Sequence, residues 1–174
     1  MSALAMHLKR QGFYVFGSDI SKNEFVLKLQ QENIKVYHKH NAENISGADV
    51  VVYNSAIPEN SPELVEAKRR NLTIIKRSEL LNEVLSNYKN VIAISGTHGK
   101  TTTTAMIAEI FLKTKPITAF VGGESYSFGN FNYATSDTAI TEACEFEKNL
   151  LDIHPTVSVI LNLDRDHLDT YQNK

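Results

Sequence analysis

The segment Gly96-Thr97-His98-Gly99-Lys100-Thr101-Thr102 lies between an apolar run at 91–94 and a stretch with apolar residues at helical spacing, Ala105, Ile107, Ala108, Ile110 and Phe111. A loop leading from a buried strand into a helix leaves the first N–H groups of that helix unpaired at the positive end of its dipole, which favours an anion there. Gly96 and Gly99 let the backbone wrap phosphates, Lys100 neutralises β- and γ-phosphates, and the Thr101 hydroxyl is placed to ligate Mg²⁺. Ile94 stands where the strict eight-position motif has its first glycine, so the match is to the Gly-Lys-Thr core and its flanks. A mere glycine-rich turn with a surface lysine would leave the strand and the apolar helix on either side unexplained.

A nucleotide-metal site also needs a carboxylate at the end of a neighbouring strand. Glu142, directly after Ala139-Ile140-Thr141, has that position, with Glu145 as the alternative. His167, within Leu163-Asp164-Arg165-Asp166-His167-Leu168-Asp169, follows another expected strand, and a neutral imidazole there can join a metal shell. For both residues the competing reading is a solvated carboxylate or a polar loop histidine.

Composition restricts the partners. The formal charge of the 174 residues is -2, so nothing global attracts nucleic acid or an anionic membrane, and any anion has to be held by a local site. Cys144 is the only cysteine, and His38 and His40 lack the partner cysteines of a structural zinc site. No structural metal is expected, and the chain reads as cytoplasmic. No apolar run approaches the roughly 20 residues that span a bilayer. The first residues have the apolar spacing of a helix and lack the pattern of a secretory signal.

The elements that must position these groups alternate between strand and helix. Met1, Leu4, Ala5 and Leu8 make one helical stripe that Gly12 can terminate, and a strand is expected at 13–16, ending at Gly17-Ser18-Asp19. A helix at 24–32, a strand at 35–37 and a strand at 49–53 follow, the last with a valine run that suits burial on both faces. Ser61-Pro62-Glu63 provides an N-cap, a proline at the first helical position and an early acid for a helix reaching about residue 70. A strand at 72–75 and a helix at 79–85 precede the polar stretch 86–90, where a domain boundary divides 1–88 from 89–174. In the second part the pattern predicts a strand at 91–94, the glycine loop, a helix to about 113 and a strand at 117–121. A long loop at 122–133, strands at 138–141 and 156–161, and a short helix at 147–151 complete it. Strands separated by helices indicate an α/β class with parallel sheets and ligand sites at the carboxyl ends of strands.

Three segments together resemble the Mur ligase family: 96–103, Glu142-Ala143-Cys144-Glu145, and 162–171, in the family's order and spacing. Further matches are 1–5, Gly17-Ser18-Asp19, His40-Asn41-Ala42-Glu43-Asn44, Ser55-Ala56-Ile57-Pro58 and Arg77-Ser78-Glu79-Leu80-Leu81, so the likeness covers the whole chain and points to the branch acting on UDP-N-acetylmuramate and L-alanine. The resemblance implies a Rossmann-like UDP-sugar domain followed by part of a P-loop-type α/β ATP-binding domain. It also implies ATP and Mg²⁺ as cofactors, and an amide bond made through an acyl phosphate in peptidoglycan precursor synthesis. Lys100, Glu142 and His167 take catalytic roles under it, and Thr101, Glu142 and His167 are the metal ligands. In the first half, Asp19 would accept from ribose or uracil groups, and Ser55, Ala56 and Ile57 would lie near the diphosphate, with His40 as a further substrate contact. Cys144 stands where the family often has an aspartate. The family also has a strand and glycine-rich turn ahead of the residue matching Met1, and continues past the residue matching Lys174. The first sheet is therefore expected to lack its first strand, and these residues alone are not expected to complete catalysis. Two other readings are a non-catalytic nucleotide-binding module and the sister ligase that attaches murein tripeptide to the same UDP-sugar.

Overall fold

The computed structural model describes residues 1–143 and 152–164. Chain contacts divide into two compact units, Met1–Leu80 and Leu81–Lys174.

In the first unit, helix α1 (Ser2–Arg10) leads to strand β1 (Phe16–Ser18), helix α2 (Glu24–Gln31) to β2 (Lys35–Tyr37), and α3 (Pro62–Arg69) to β4 (Thr73–Lys76), with β3 (Val50–Tyr53) preceding α3. The three helices end in the same way. Gly12, Asn33 and Asn71 have φ of 91°, 57° and 55°, a left-handed residue that turns the chain out of the helix. Each turn carries the paired hydrogen bonds of a Schellman motif: Phe13 N–H to the Leu8 carbonyl with Gly12 to Lys9, Ile34 to Leu29 with Asn33 to Gln30, and Leu72 to Ala67 with Asn71 to Lys68. The last two feed directly into the next strand.

The first turn corrects the strand expected at 13–16. Phe13 and Tyr14 are spent in leaving α1 and stand 61% and 80% exposed, so pairing begins only at Phe16. β1 pairs in parallel with β2, and β3 with β4, as separate two-stranded sheets. The valine run in β3 is not buried on both faces as expected: Val50 is exposed and the other three residues are half-buried, and β4 is the strand's one partner among the described residues. Ser61 precedes α3, with Pro62 in its first turn, yet its buried hydroxyl makes no capping bond. The helix starts through Val65 N–H to the Ser61 carbonyl instead.

Helix α4 (Arg77–Leu85) runs through the division between the units. The second unit has one five-stranded sheet built from β5 (Asn90–Ser95), β6 (Thr118–Ser125), β7 (Gly129–Asn132), β8 (Thr138–Glu142) and β9 (Val157–Ile160), in the order β7-β6-β8-β5-β9. All its pairs are parallel except β6 with β7. Helix α5 (Lys100–Leu112) covers it, burying Ala108 against Ile94, Ile117, Ala119 and Ile140. β5 therefore lies between β8 and β9, and the chain leaves its carboxyl end at the glycine loop.

The long loop expected at 122–133 is in fact a hairpin. β6 continues to Ser125 and β7 returns antiparallel, with Phe120 against Phe131 at 5.5 Å between ring centroids. Glu109 of α5 pins its tip by accepting hydrogen bonds from the hydroxyls of Ser125 and Ser127, which hold its carboxyl below the usual range. The short helix expected at 147–151 lies outside the described residues.

Candidate phosphate-binding site

The loop leaving β5 is bent by two glycines. Gly96 has φ 132°, and a Cβ there would lie 3.0 Å from both the Asn162 backbone nitrogen and Leu161 Cβ, so a side chain would push the loop off the strand beside it. Gly99, at φ 84°, is the N-cap of α5. The first described intrahelical bond runs from Thr103 N–H to the Gly99 carbonyl, so the N–H groups of Thr101 and Thr102 precede it at the positive end of the helix. Lys100 Nζ donates to the carbonyls of Gly96 (2.5 Å) and Thr97 (3.2 Å), which folds its charge back over the loop.

Asn162, just after β9, clasps the first half of the loop. Its Oδ1 accepts from His98 N–H at 2.8 Å, its Nδ2 donates to the His98 carbonyl at 2.8 Å, and its own carbonyl accepts from Thr97 N–H at 3.2 Å. Asp164 N–H donates to the Thr97 hydroxyl at 2.9 Å. The backbone N–H groups of Thr97 and His98 are thus engaged by the neighbouring strand's end, whereas those of Thr101 and Thr102 make no hydrogen bond to the described residues. Sequence reasoning missed Asn162 because its side chain acts on backbone, which no residue pattern shows. Its place after a strand beside β5 is the one available signal.

Glu142 ends β8 next to this loop. Its Oε2 accepts from the Thr101 hydroxyl at 3.1 Å and its Oε1 from Gly122 N–H at 2.6 Å. A hydroxyl and a carboxylate side by side are oxygen donors of the kind Mg²⁺ takes, so the residues fit such an ion. Gly122 and Gly123 leave the room: a Cβ at Gly122 would come within 2.8 Å of Glu142 Oε2, and one at Gly123 within 2.8 Å of Thr101 Cγ2. The structure thus brings Gly96 to Thr102 and Glu142 together. Glu145 and His167 lie outside the described residues.

In the first unit the residues expected to meet substrate follow β1, β2 and β3. Asp19 Oδ1 accepts from Ser21 N–H at 2.7 Å, closing the turn after β1. Ser55, Ala56 and Ile57 form the turn after β3, where the Asn54 side chain takes Ala56 N–H at 2.9 Å and the Asn54 carbonyl takes Ile57 N–H at 3.0 Å. His40 is held by Ser18 and Glu63.

A glycine-bent loop leading from a parallel strand into a helix, with an acid at the end of the adjacent strand, is an arrangement suited to an anion such as a nucleotide phosphate. Residues 1–89 match the model of the Mur ligase family, catalytic domain, and residues 94–174 match the Mur ligase middle domain. The chain belongs to the Mur ligase family. It is 45% identical over 175 residues to a UDP-N-acetylmuramate--L-alanine ligase of Clostridium botulinum, covering 99% of this chain and 38% of that protein. A protein of the same name from Caldicellulosiruptor bescii is 44% identical, again over 99% of this chain and 38% of the relative. The chain thus spans well under half the length of these curated relatives. Among solved structures, a UDP-N-acetylmuramate-alanine ligase from Thermotoga maritima superposes with a TM-score of 0.92 at 32% identity, over 100% of this chain and 41% of that one. A UDP-N-acetylmuramate:L-alanyl-gamma-D-glutamyl-meso-diaminopimelate ligase from Neisseria meningitides superposes at 0.88 with 26% identity, over 99% of this chain and 60% of that one. Among the described residues no helix is long and apolar enough to cross a membrane.

Proposed function

We propose that this chain supplies the UDP-sugar site and the ATP phosphate site of a ligase that joins L-alanine to UDP-N-acetylmuramate in the cytoplasm. The observation that carries the reading is the Thr101 hydroxyl 3.1 Å from the Glu142 carboxylate, beside a loop bent by Gly96 and Gly99 and closed by Lys100. A carboxylate is a poor electrophile until one of its oxygens becomes a leaving group, and ATP bound at this loop supplies the phosphoryl group that makes it one. Gly96, Thr97, His98, Gly99, Lys100, Thr101 and Thr102 form the cradle. Lys100 turns from its loop carbonyls to the phosphates, where its charge stabilises the negative charge that gathers in transfer. Thr101 and Glu142 hold Mg²⁺, and His167 joins them on the strength of the family motif.

Residues 1–88 form the UDP-sugar half, with Asp19, His40, Ser55, Ala56 and Ile57 as its contacts, and residues 89–174 the ATP half. The alanine ligase is favoured over the murein peptide ligase because, between the two solved structures, the alanine ligase is 32% identical with a TM-score of 0.92, against 26% and 0.88 for the peptide ligase.

Phosphate release tests the reading. These residues are compared with a version extended to the length of the relatives, each given Mg·ATP, UDP-N-acetylmuramate and either L-alanine or murein tripeptide. The expected result is turnover by the extended protein with L-alanine alone. Turnover with tripeptide alone would assign the sister reaction. ATP binding without turnover on either substrate would assign a non-catalytic nucleotide-binding module.

A further inference from the structure

Glu63, in the first turn of α3, collects donors from three other segments of the first unit. Its Oε2 accepts from the Ser18 hydroxyl of β1 at 2.8 Å and lies 3.1 Å from His40 Nδ1, while its Oε1 accepts from Asn44 Nδ2 at 2.8 Å. Ser18 Oγ is also 2.9 Å from the same ring nitrogen. The Glu63 side chain is 14% exposed and that of His40 26%, so water competes little for these bonds. Asn44 is fixed in turn by donating to the Lys39 carbonyl at 2.6 Å, which ties the cluster to the segment carrying His40.

A serine, a histidine and a carboxylate in contact suggest a nucleophilic triad, and the geometry rules it out. Ser18 and Glu63 approach the same nitrogen, Nδ1, whereas a triad needs the hydroxyl on one ring nitrogen and the carboxylate on the other. An ionised carboxylate only accepts, so the proton between Glu63 and the ring belongs to Nδ1. The neutral imidazole then carries its lone pair on Nε2, an atom with no hydrogen bond among the described residues.

We propose that Glu63 is a positioning residue of the UDP-sugar site: it fixes His40 as the Nδ1-protonated tautomer, so that Nε2 accepts a hydrogen bond from a hydroxyl or N–H group of the nucleotide-sugar. This rests on the reading that the first unit holds a UDP-sugar. Neither a helix-start acid nor a loop histidine predicts the pairing. It arises because β1, the segment after β2 and the start of α3 meet at one carboxylate.

Two measurements on the chain test it. Long-range ¹H–¹⁵N spectra report the tautomer without any substitution. Nδ1–H is expected for His40, and an Nε2–H tautomer overturns the proposal. Titration with UDP-N-acetylmuramate follows for the unaltered chain, Glu63→Ala, His40→Ala and the double variant. Each single variant is expected to weaken binding about tenfold, the scale of one hydrogen bond in a shielded site, with little further loss in the double. Binding by Glu63→Ala within about twofold of the unaltered chain, or losses that add in the double variant, overturns the positioning role while leaving the UDP-sugar reading intact. Absence of UDP-N-acetylmuramate binding in the unaltered chain overturns that reading, and the ligand assigned to Nε2 with it.

Discussion

Thr101 and Glu142, 41 positions apart, meet at 3.1 Å because β5 and β8 run parallel in register from Asn90 opposite Thr138 to Ile94 opposite Glu142. The sheet brings the acid to the level at which β5 gives way to the glycine loop. The second oxygen of Glu142 is fixed by Gly122 N–H, so the carboxylate has one orientation before any ion arrives.

Gly122→Ala tests that fixed orientation. The new Cβ would lie 2.8 Å from Glu142 Oε2, and the atom that must yield is the end of a side chain, so stability should fall by less than about 1 kcal/mol. Mg²⁺-dependent ATP affinity is expected to drop about tenfold, since a displaced ligand loses at least one charge-assisted contact. Calorimetric titration beside a thermal melt separates the effects, and unchanged affinity would count against Glu142 as a metal ligand.

Asn162→Ala removes both side-chain bonds to the His98 backbone, each 2.8 Å long. A partly hydrated pair of this kind is worth about 1–2 kcal/mol. Urea unfolding should show a loss of that size. ATP binding should weaken as well, because the loop's first half would no longer be held against β9. A stability loss without any change in ATP affinity would show that the clasp serves the fold alone.

His7 is 4% exposed in α1, and burial holds its pKa below the ordinary 6.5. The folded state therefore prefers the neutral ring, while the unfolded chain takes a proton at the ordinary value. The stability linked to His7 is complete above 6.5 and is lost as pH falls below it toward the folded value. Urea midpoints measured between about pH 7.5 and pH 5.5 should decline, and His7→Gln should flatten the decline. Equal slopes in the two proteins would contradict the assignment.

Residues whose own side chains carry the signal were legible before the fold was known. Gly99-Lys100-Thr101, with apolar residues on both sides, announced a strand, a loop and a helix, and these are β5, the 96–99 bend and α5. Glu142 was legible from its place after Ala139-Ile140-Thr141. Three features were not. Phe13 and Tyr14 have strand character, but the left-handed exit at Gly12 takes them out of the sheet. Gly129 and Asn130 read as loop, yet Phe131 packing on Phe120 and Glu109 holding both tip serines make a strand of that segment. Asn162 and Glu63 act through contacts 64 and 23 positions away, to His98 and His40, which no local pattern encodes.

In the proposed function the loop from Gly96 to Thr102, with Glu142, holds the phosphates of Mg·ATP. Calorimetric titration of the chain with ATP, with and without Mg²⁺, and again for Lys100→Ala, tests it most directly. Binding is expected to require Mg²⁺ and to weaken at least about tenfold in the variant, which lacks the charge that meets the phosphates. Equal affinity in the two proteins, or binding indifferent to Mg²⁺, would contradict it.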